Sequence, residues 1–236
     1  MISAQMAETP SPKQLAGKAA AAYVETGMKL GLGTGSTVAF FLEALSERIA
    51  AEGLEVCGVP TSLDTAEKAQ DLGIPIATLE EQPALDLVVD GADEVDPAFR
   101  LIKGGGGALL REKIVAACGK KVIIIVGEGK RVDRLGTTFL LPVEILPFGY
   151  LATRDRVAEL GGCTPYIRNT EAGEPFVTDN GNFILDCRFE DGIADPERLH
   201  ADLSQIPGVA EIGVFLDLCH VVIEGTESGE AVVLTR

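Results

Sequence analysis

Between residues 90 and 113 the chain reads DGADEVDPAFRLIKGGGGALLREK. This stretch brings Asp90, Asp93, Glu94, Asp96, Lys103, four consecutive glycines and Glu112 close together. A solvated acidic loop would account for the carboxylates, and a phosphate cradle for the glycines. Both together suit a site that needs anion binding and acid–base groups at once. Proton transfer next to a carbonyl has these requirements. A carboxylate takes the C–H proton, a cation or backbone N–H donors stabilise the enolate oxygen, a second acid moves a hydroxyl proton, and a remote grip holds a phosphate. Asp90 follows the apolar run LDLVV and so closes a strand at its C-terminal end, the edge where open parallel sheets bind ligands. Asp93 remains open between a turn cap and an acid of the site. Glu94 reads as an exposed turn charge and Asp96 as an Asx cap. Glu112 is either the base or a first-turn acid complementing its helix dipole. Ordering four glycines has a large entropic cost, and a purely structural turn needs only one or two, so close approach of backbone to a ligand is the more economical account of Gly104 to Gly107.

A second glycine-rich segment, GLGTGST at residues 31 to 37, lies at a strand-to-helix junction. Backbone N–H groups at a helix N-terminus make an anion site, to which Ser36 and Thr37 add hydroxyl donors. The alternative is a tight turn whose hydroxyls only cap the helix. A dinucleotide fingerprint fails because position 36 is Ser rather than Gly and the second strand ends CGVPTS without the ribose-binding acid; a Walker A loop is absent. The loop suits one terminal phosphate better than a nucleotide.

These segments need a scaffold, and the flanking patterns describe one. Helices are predicted over residues 12–27, 36–51, 63–73 and 108–119, alternating with strands around 28–32, 54–60, 84–90 and 120–127. Near-continuous Val/Ile/Leu strands alternating with helices predict a parallel sheet covered on both faces. After residue 131 the order becomes strand, helix, two strands, helix, strand: the split βαβ, ferredoxin-like unit. The last residues offer two short strands able to return to the first sheet. The expectation is a Rossmann-like α/β domain of residues 1–130 plus 216–236, with a ferredoxin-like α+β domain of residues 131–215 inserted before its end.

Bulk properties narrow the function. The chain has 236 residues, 46% apolar and 24% charged, enough for one large domain or a domain with a smaller appendage. A net charge of −16 argues against nucleic acid as a partner, and it leaves a few placed lysines and N–H groups to hold an anionic ligand against an unfavourable field. The acidity also fits a saline environment. The longest apolar runs, such as VIIIV at 122–126, are too short for a bilayer, so no membrane partner is expected. The first dozen residues lack the basic and apolar regions of a secretory signal and read as a short polar tail. Five scattered cysteines without a C-x-x-C pair fit a reducing cytoplasm rather than disulfides or zinc. His200 and His220 stand apart and read as structural or surface residues.

The motifs GLGTGST, VDGADE, KGGGGALLREKI, LPVEILP and VTDNGN, in this order and spacing over essentially the whole chain, resemble those of type A ribose-5-phosphate isomerases. The resemblance implies a Rossmann-like domain with a ferredoxin-like lid and a cytoplasmic homodimer or homotetramer. It also implies interconversion of ribose 5-phosphate and ribulose 5-phosphate in the pentose phosphate pathway through an enediol(ate), with no cofactor and no metal. By the same resemblance Glu112 matches the catalytic proton acceptor, and Asp90 and Asp93 match acids that contact the sugar and assist ring opening and hydroxyl proton movement. Lys103 matches the lysine beside the reacting oxygens. Thr34, Gly35, Ser36 and Thr37 match one substrate-binding segment, Asp90, Gly91, Ala92 and Asp93 a second, and Lys103, Gly104, Gly105 and Gly106 a third. Lys130 matches a substrate-contacting lysine and Lys13 a phosphate contact. The chain departs from the family's usual IADxSK with IVGEGK before Lys130, and NTEAGEP lengthens a loop of the smaller domain. Two rivals are a CoA-transferase-like enzyme with a glutamate nucleophile, which leaves TGST and Lys130 without a phosphosugar, and a sugar-phosphate sensor, which lacks a basic DNA-binding helix.

Overall fold

The structure is a computed structural model that describes residues 10–236; most of the N-terminal polar tail lies outside the described residues. In chain order the first half runs α1 (Pro12–Ala21), β1 (Lys29–Leu32), α2 (Ser36–Glu52), β2 (Cys57–Pro60), α3 (Leu63–Asp71), β3 (Leu87–Gly91), β4 (Glu94–Val95), β5 (Leu101–Ile102), α4 (Leu109–Ala117) and β6 (Val122–Gly127). The second half runs β7 (Leu141–Ile145), α5 (Tyr150–Gly161), β8 (Thr164–Ile167), β9 (Phe183–Arg188), α6 (Pro196–Leu203), β10 (Val209–Ile212), β11 (Val214–Phe215), β12 (Val221–Gly225) and β13 (Ala231–Thr235).

Six strands form one sheet in the order β13-β12-β6-β3-β1-β2, parallel except for the antiparallel edge strand β13. The apolar strands feed two cores by simple alternation. Leu87, Val89, Ile123 and Ile125 face α1 and α2, while Val88, Val122, Ile124 and Val126 face α4. The direction of winding reverses between β1 and β3, which opens a crevice at their carboxyl ends. The Rossmann-like expectation holds, and β12 and β13 do return to the first sheet. A four-stranded antiparallel sheet, β10-β7-β9-β8, packs with α5 and α6 around a separate core that includes Leu141, Val157, Leu185 and Leu203. Its β-α-β-β-α-β order is the ferredoxin-like unit.

Two differences from the sequence reading have local causes. The first helix ends at Ala21 rather than near residue 27, because Ala22 caps it and Tyr23 and Val24 turn back onto it. Residues 94–102, read as a connecting loop, contribute two-residue strands to a third sheet, β11-β5-β4. Strands that short carry no hydrophobic period to read. The same sheet divides the last strand expected of the smaller unit into β10 and β11, whose partners differ.

Candidate active site

The loops after β1, β3 and β6 converge at the carboxyl edge of the parallel sheet and enclose a cavity of about 190 Å3. Its first wall is the turn from β1 into α2. Gly35, in a left-handed conformation at φ 116°, precedes Ser36 at the helix start. The N-terminus of α2 therefore points its free N–H groups into the cavity, the arrangement that attracts a phosphate. Lys13, the second residue of α1, donates its ammonium to Ser36 Oγ at 2.8 Å, and Thr37 lines the same end. Lys13 reaches that point because α1 begins directly over β12: a Cβ at Gly225 would collide with the Pro12 carbonyl.

Thr34 behaves differently from its neighbours. Its hydroxyl is engaged with Thr61 (2.7 Å), Ser62 (2.8 Å) and Thr65 (3.1 Å), and its N–H donates to Asp90 Oδ1 at 3.1 Å. It lines the cavity yet works chiefly as a brace between the first turn and Asp90. Gly33 completes that contact, since any Cβ there would strike Asp90 Oδ1. The hydroxyls of Thr61, Ser62 and Thr65 had no role in the sequence reading; the signal available was PTS at the end of β2, where Ser62 caps α3.

The cavity also holds a cluster of buried charge. Lys103 is 3% exposed; its ammonium donates to the Gly91 carbonyl at 2.6 Å and stands 3.0 Å from Asp90 Oδ2 and 3.3 Å from Glu112 Oε2. Asp90 Oδ2 and Glu112 Oε2 have no hydrogen bond of good geometry among the described residues, only the neighbouring cation. Buried acceptors left in that state are rare away from functional sites. One ammonium cannot neutralise both carboxylates. Burial, followed by the Asp90 charge, pushes the Glu112 carboxyl up to about 8, against the pull of Lys103. Burial would discharge Lys103, but the Asp90 and Glu112 carboxylates outweigh it and hold the ammonium at about 12. Asp93 is also raised by burial, opposed by the Gly105 N–H and more weakly by Lys103, Lys130 and Arg168. Among the described residues no group of three or more His, Cys, Asp or Glu is arranged to hold a metal ion.

The glycine run is needed more fully than the sequence implied. Gly104 (φ 106°) and Gly107 (φ 82°) occupy left-handed backbone, and a Cβ at Gly105 would lie 2.7 Å from Asp93 Oδ1. Only at Gly106, which lines the cavity, would a Cβ fit without a clash, in ordinary contact with Thr34 Cγ2 at 3.7 Å. The Gly105 N–H donates to Asp93 Oδ2 at 2.8 Å, so the glycine loop is joined to the turn after β3.

Every residue expected at the site is brought to this cavity. Gly91, Ala92, Asp93, Gly104, Gly105, Gly106 and Lys130 line it directly, and Asp90 lies just behind Lys103. Lys130 stands at its mouth with its ammonium 5.7 Å from the Phe139 ring centre. Glu128, in the divergent IVGEGK segment, lies at the rim and accepts from the Glu227 N–H. Glu94 is corrected. It is fully buried, not an exposed turn charge, and accepts from Gly136 N (2.6 Å), Thr138 N (2.6 Å), Thr138 Oγ1 (2.7 Å) and Phe139 N (2.8 Å). Asp96 is a turn cap as read, bonded to the Ala98 and Arg100 N–H groups, although buried.

The VTDNGN turn reaches the site from the smaller unit. Buried Glu144 organises it by accepting from Thr178 Oγ1, Asn180 Nδ2 and Asn182 Nδ2. Asp179 then accepts from the Leu63 N–H at the start of α3, and Asn180 Oδ1 from Arg111 Nε beside Glu112. The turn thus grips both the hydroxyl cluster behind Thr34 and the helix that carries Glu112.

Fold and site together define an α/β enzyme with a small anion-binding cavity at a sheet switch point. The chain belongs to the ribose 5-phosphate isomerase A family, whose profile, described as "Ribose 5-phosphate isomerase A (phosphoriboisomerase A)", matches residues 57–229. It is 50% identical over 227 residues to a ribose-5-phosphate isomerase A of Synechococcus sp. (strain JA-3-3Ab), covering 95% of this chain and 98% of that protein. A ribose 5-phosphate isomerase structure from Plasmodium falciparum superposes with a TM-score of 0.91 at 40% identity, covering 95% of this chain and 97% of that one. A D-ribose-5-phosphate isomerase solved in complex with phospho-erythronic acid superposes at 0.90 with 39% identity, covering 95% and 97%. The resemblance read from the motifs is thereby borne out.

Proposed function

We infer that this chain interconverts D-ribose 5-phosphate and D-ribulose 5-phosphate through an enediol(ate), in the non-oxidative branch of the pentose phosphate pathway. The observation that carries the reading is the Asp90–Lys103–Glu112 cluster, within 3.3 Å at the cavity floor, facing a helix N-terminus suited to phosphate. The phosphate sits on the N–H groups of α2, with Lys13, Ser36 and Thr37 closing around it. Asp90 and Asp93 assist ring opening and move protons between O1 and O2. Glu112 takes the proton from C2 of the aldose and returns it to C1. Lys103, with the adjacent glycine N–H groups, holds the oxygen on which charge develops. Lys130 closes the mouth over the substrate.

The reaction needs neither metal nor cofactor in this reading. A coupled assay for ribulose 5-phosphate formation, run with and without EDTA, tests it: turnover unaffected by EDTA is expected. No turnover of ribose 5-phosphate would overturn the function, and loss of activity in EDTA would overturn metal independence. The division into residues 1–130 plus 216–236 and an inserted 131–215 is supported by β12 and β13 joining the first sheet. A homodimer or homotetramer is supported by the apolar run around Phe148, which is 94% exposed, with Leu146 and Leu151 half-exposed beside it. Light scattering that found a monomer would sink this. A cytoplasmic location is supported by five unpaired cysteines; no helix of the described residues is long and apolar enough to cross a membrane.

A further inference from the structure

Arg168 follows β8 in the smaller unit, outside every motif that points to the reaction. Its guanidinium is nevertheless aimed at the active-site glycine loop. Nε and Nη2 form a two-pronged pair with Asp186 of β9, at 2.9 and 2.5 Å, and Nη1 donates to two successive carbonyls, Gly104 O at 2.9 Å and Gly105 O at 3.0 Å. The side chain is 14% exposed and rests 5.9 Å from the centre of the Phe176 ring. That ring in turn packs where a Cβ at Gly107 would be. The Gly104 carbonyl also accepts from the Gly107 N–H at 3.0 Å, which closes a turn within the loop.

The consequence follows from peptide geometry. In a trans peptide the C=O and the following N–H point in opposite directions. Turning the Gly104 carbonyl to Arg168 sends the Gly105 N–H towards Asp93, where it is found at 2.8 Å from Oδ2. Turning the Gly105 carbonyl the same way sends the Gly106 N–H to the cavity side of the loop, and Gly106 lines the cavity. The Gly105 N–H is taken up by Asp93, so the Gly106 N–H is the donor this side of the loop offers to an anionic oxygen. Glycines do not hold such an arrangement by themselves, because their backbone is the least restricted of any residue.

We propose that Arg168 is a positioning residue for the isomerisation: by drawing the Gly104 and Gly105 carbonyls to itself it holds Asp93 in place through the Gly105 N–H and turns the Gly106 N–H towards the reacting oxygens. The smaller unit thereby contributes to the chemical step without touching substrate. Lysine cannot reproduce this geometry, since one ammonium lacks the planar fork that pairs with Asp186 while reaching two carbonyls. The inference rests on the isomerase reading above.

The test compares Arg168→Lys, Arg168→Met and Asp186→Asn with wild type for kcat and KM on ribose 5-phosphate. Affinity for phospho-erythronic acid is measured alongside, because its carboxylate presents two anionic oxygens as an enediolate does. Loosening preorganised donors by a fraction of an ångström should lower kcat about 30- to 100-fold in Arg168→Met while KM moves less than about threefold. The acid should bind more weakly by a factor close to the loss in kcat/KM, as expected of a ligand resembling the transition state. Arg168→Lys should recover only a small part, and Asp186→Asn should fall between. Wild-type kcat in Arg168→Met, or a loss carried by KM with unchanged affinity for the acid, would overturn the proposal. If Arg168→Met fails to fold, Asp186→Asn, which keeps shape and volume, decides by the same two readouts, with a melting curve confirming that it is folded. Failure of wild type itself to isomerise ribose 5-phosphate would instead remove the underlying reading.

Discussion

Replacing Glu112 by Gln tests the site through both rate and stability, and the two effects have opposite signs. Glutamine keeps the shape of the protonated acid but cannot accept a C–H proton, so turnover should fall by about 10²- to 10⁴-fold, the usual contribution of a positioned base, while substrate still binds. The stability effect comes from the buried cluster. An ordinary glutamate titrates near 4.5, whereas burial and then Asp90 push Glu112 up to about 8. Between those values the unfolded chain has lost this proton and the folded chain has kept it. Stability therefore falls as pH rises, by about 1.4 kcal/mol per pH unit, and levels off above about 8. From pH 5 to pH 8 the contribution of this one group comes to about 4 kcal/mol, or roughly 8–16 °C in Tm for a chain of this size. The Gln variant lacks that slope.

The assay is a series of thermal melts of both proteins at half-unit pH steps from 5 to 9, without substrate, with turnover measured on the same samples. The variant should melt higher than wild type by a margin that widens with pH and then stops widening near 8. In wild type, kcat/KM should rise with pH through the same region, because the base must first lose its proton. A margin that stays flat with pH would refute the account of the cluster. Wild-type-like turnover in the variant would refute Glu112 as the base. Since turnover and the pH-dependent margin are read separately, either half of the reasoning can fail alone.

Gly106→Ala should fold with a stability change under about 1 kcal/mol, because its Cβ would meet only Thr34 Cγ2, at an ordinary contact distance of 3.7 Å; KM for ribose 5-phosphate should rise, and an unchanged KM would count against cavity filling. Gly105→Ala, whose Cβ would crowd Asp93 Oδ1, should lose kcat as well. Glu94→Gln should cost about 2–3 kcal/mol in urea denaturation, since its amide would face the Gly136 N–H where a carboxylate oxygen now accepts; a cost below about 0.5 kcal/mol would contradict the buried hub. Added NaCl should raise Tm by screening the net charge of −16, and no rise would remove the saline explanation of that charge.

The sequence made the site legible where one residue type had one local cause. Apolar runs ending in Asp90, a helix opening at Ser36 and the register of Glu112 after the glycines all follow from strand and helix periods. The braces were hidden because their partners are far apart in the chain. Glu94 looked solvated, and nothing local announces that it will meet the N–H groups of residues 136–139. Thr34 matches a substrate-binding segment by resemblance, yet its hydroxyl is taken up by Thr61 and Ser62 of the turn before α3 and by Thr65 within it. Glu144 and Arg168 likewise carry no signal in their own neighbourhoods, since what they organise lies in other elements.

This separation has a physical basis. The groups proposed to move protons share one ammonium among nearby carboxylates, which costs stability at neutral pH. A cluster under that repulsion spreads unless its supports are stiff. The supports here are Glu94 on the backbone of residues 136–139, Glu144 on the Thr178, Asn180 and Asn182 side chains, and Arg168, anchored by Asp186, on the Gly104 and Gly105 carbonyls. Each joins segments distant in sequence, so each restrains a relative position that no helix or strand fixes by itself. The strained centre and its long-range braces are thus two parts of one arrangement. Loss of a brace should therefore alter the behaviour of Glu112 before it unfolds the chain, appearing first as a drop in kcat and only at higher temperature as a lower Tm.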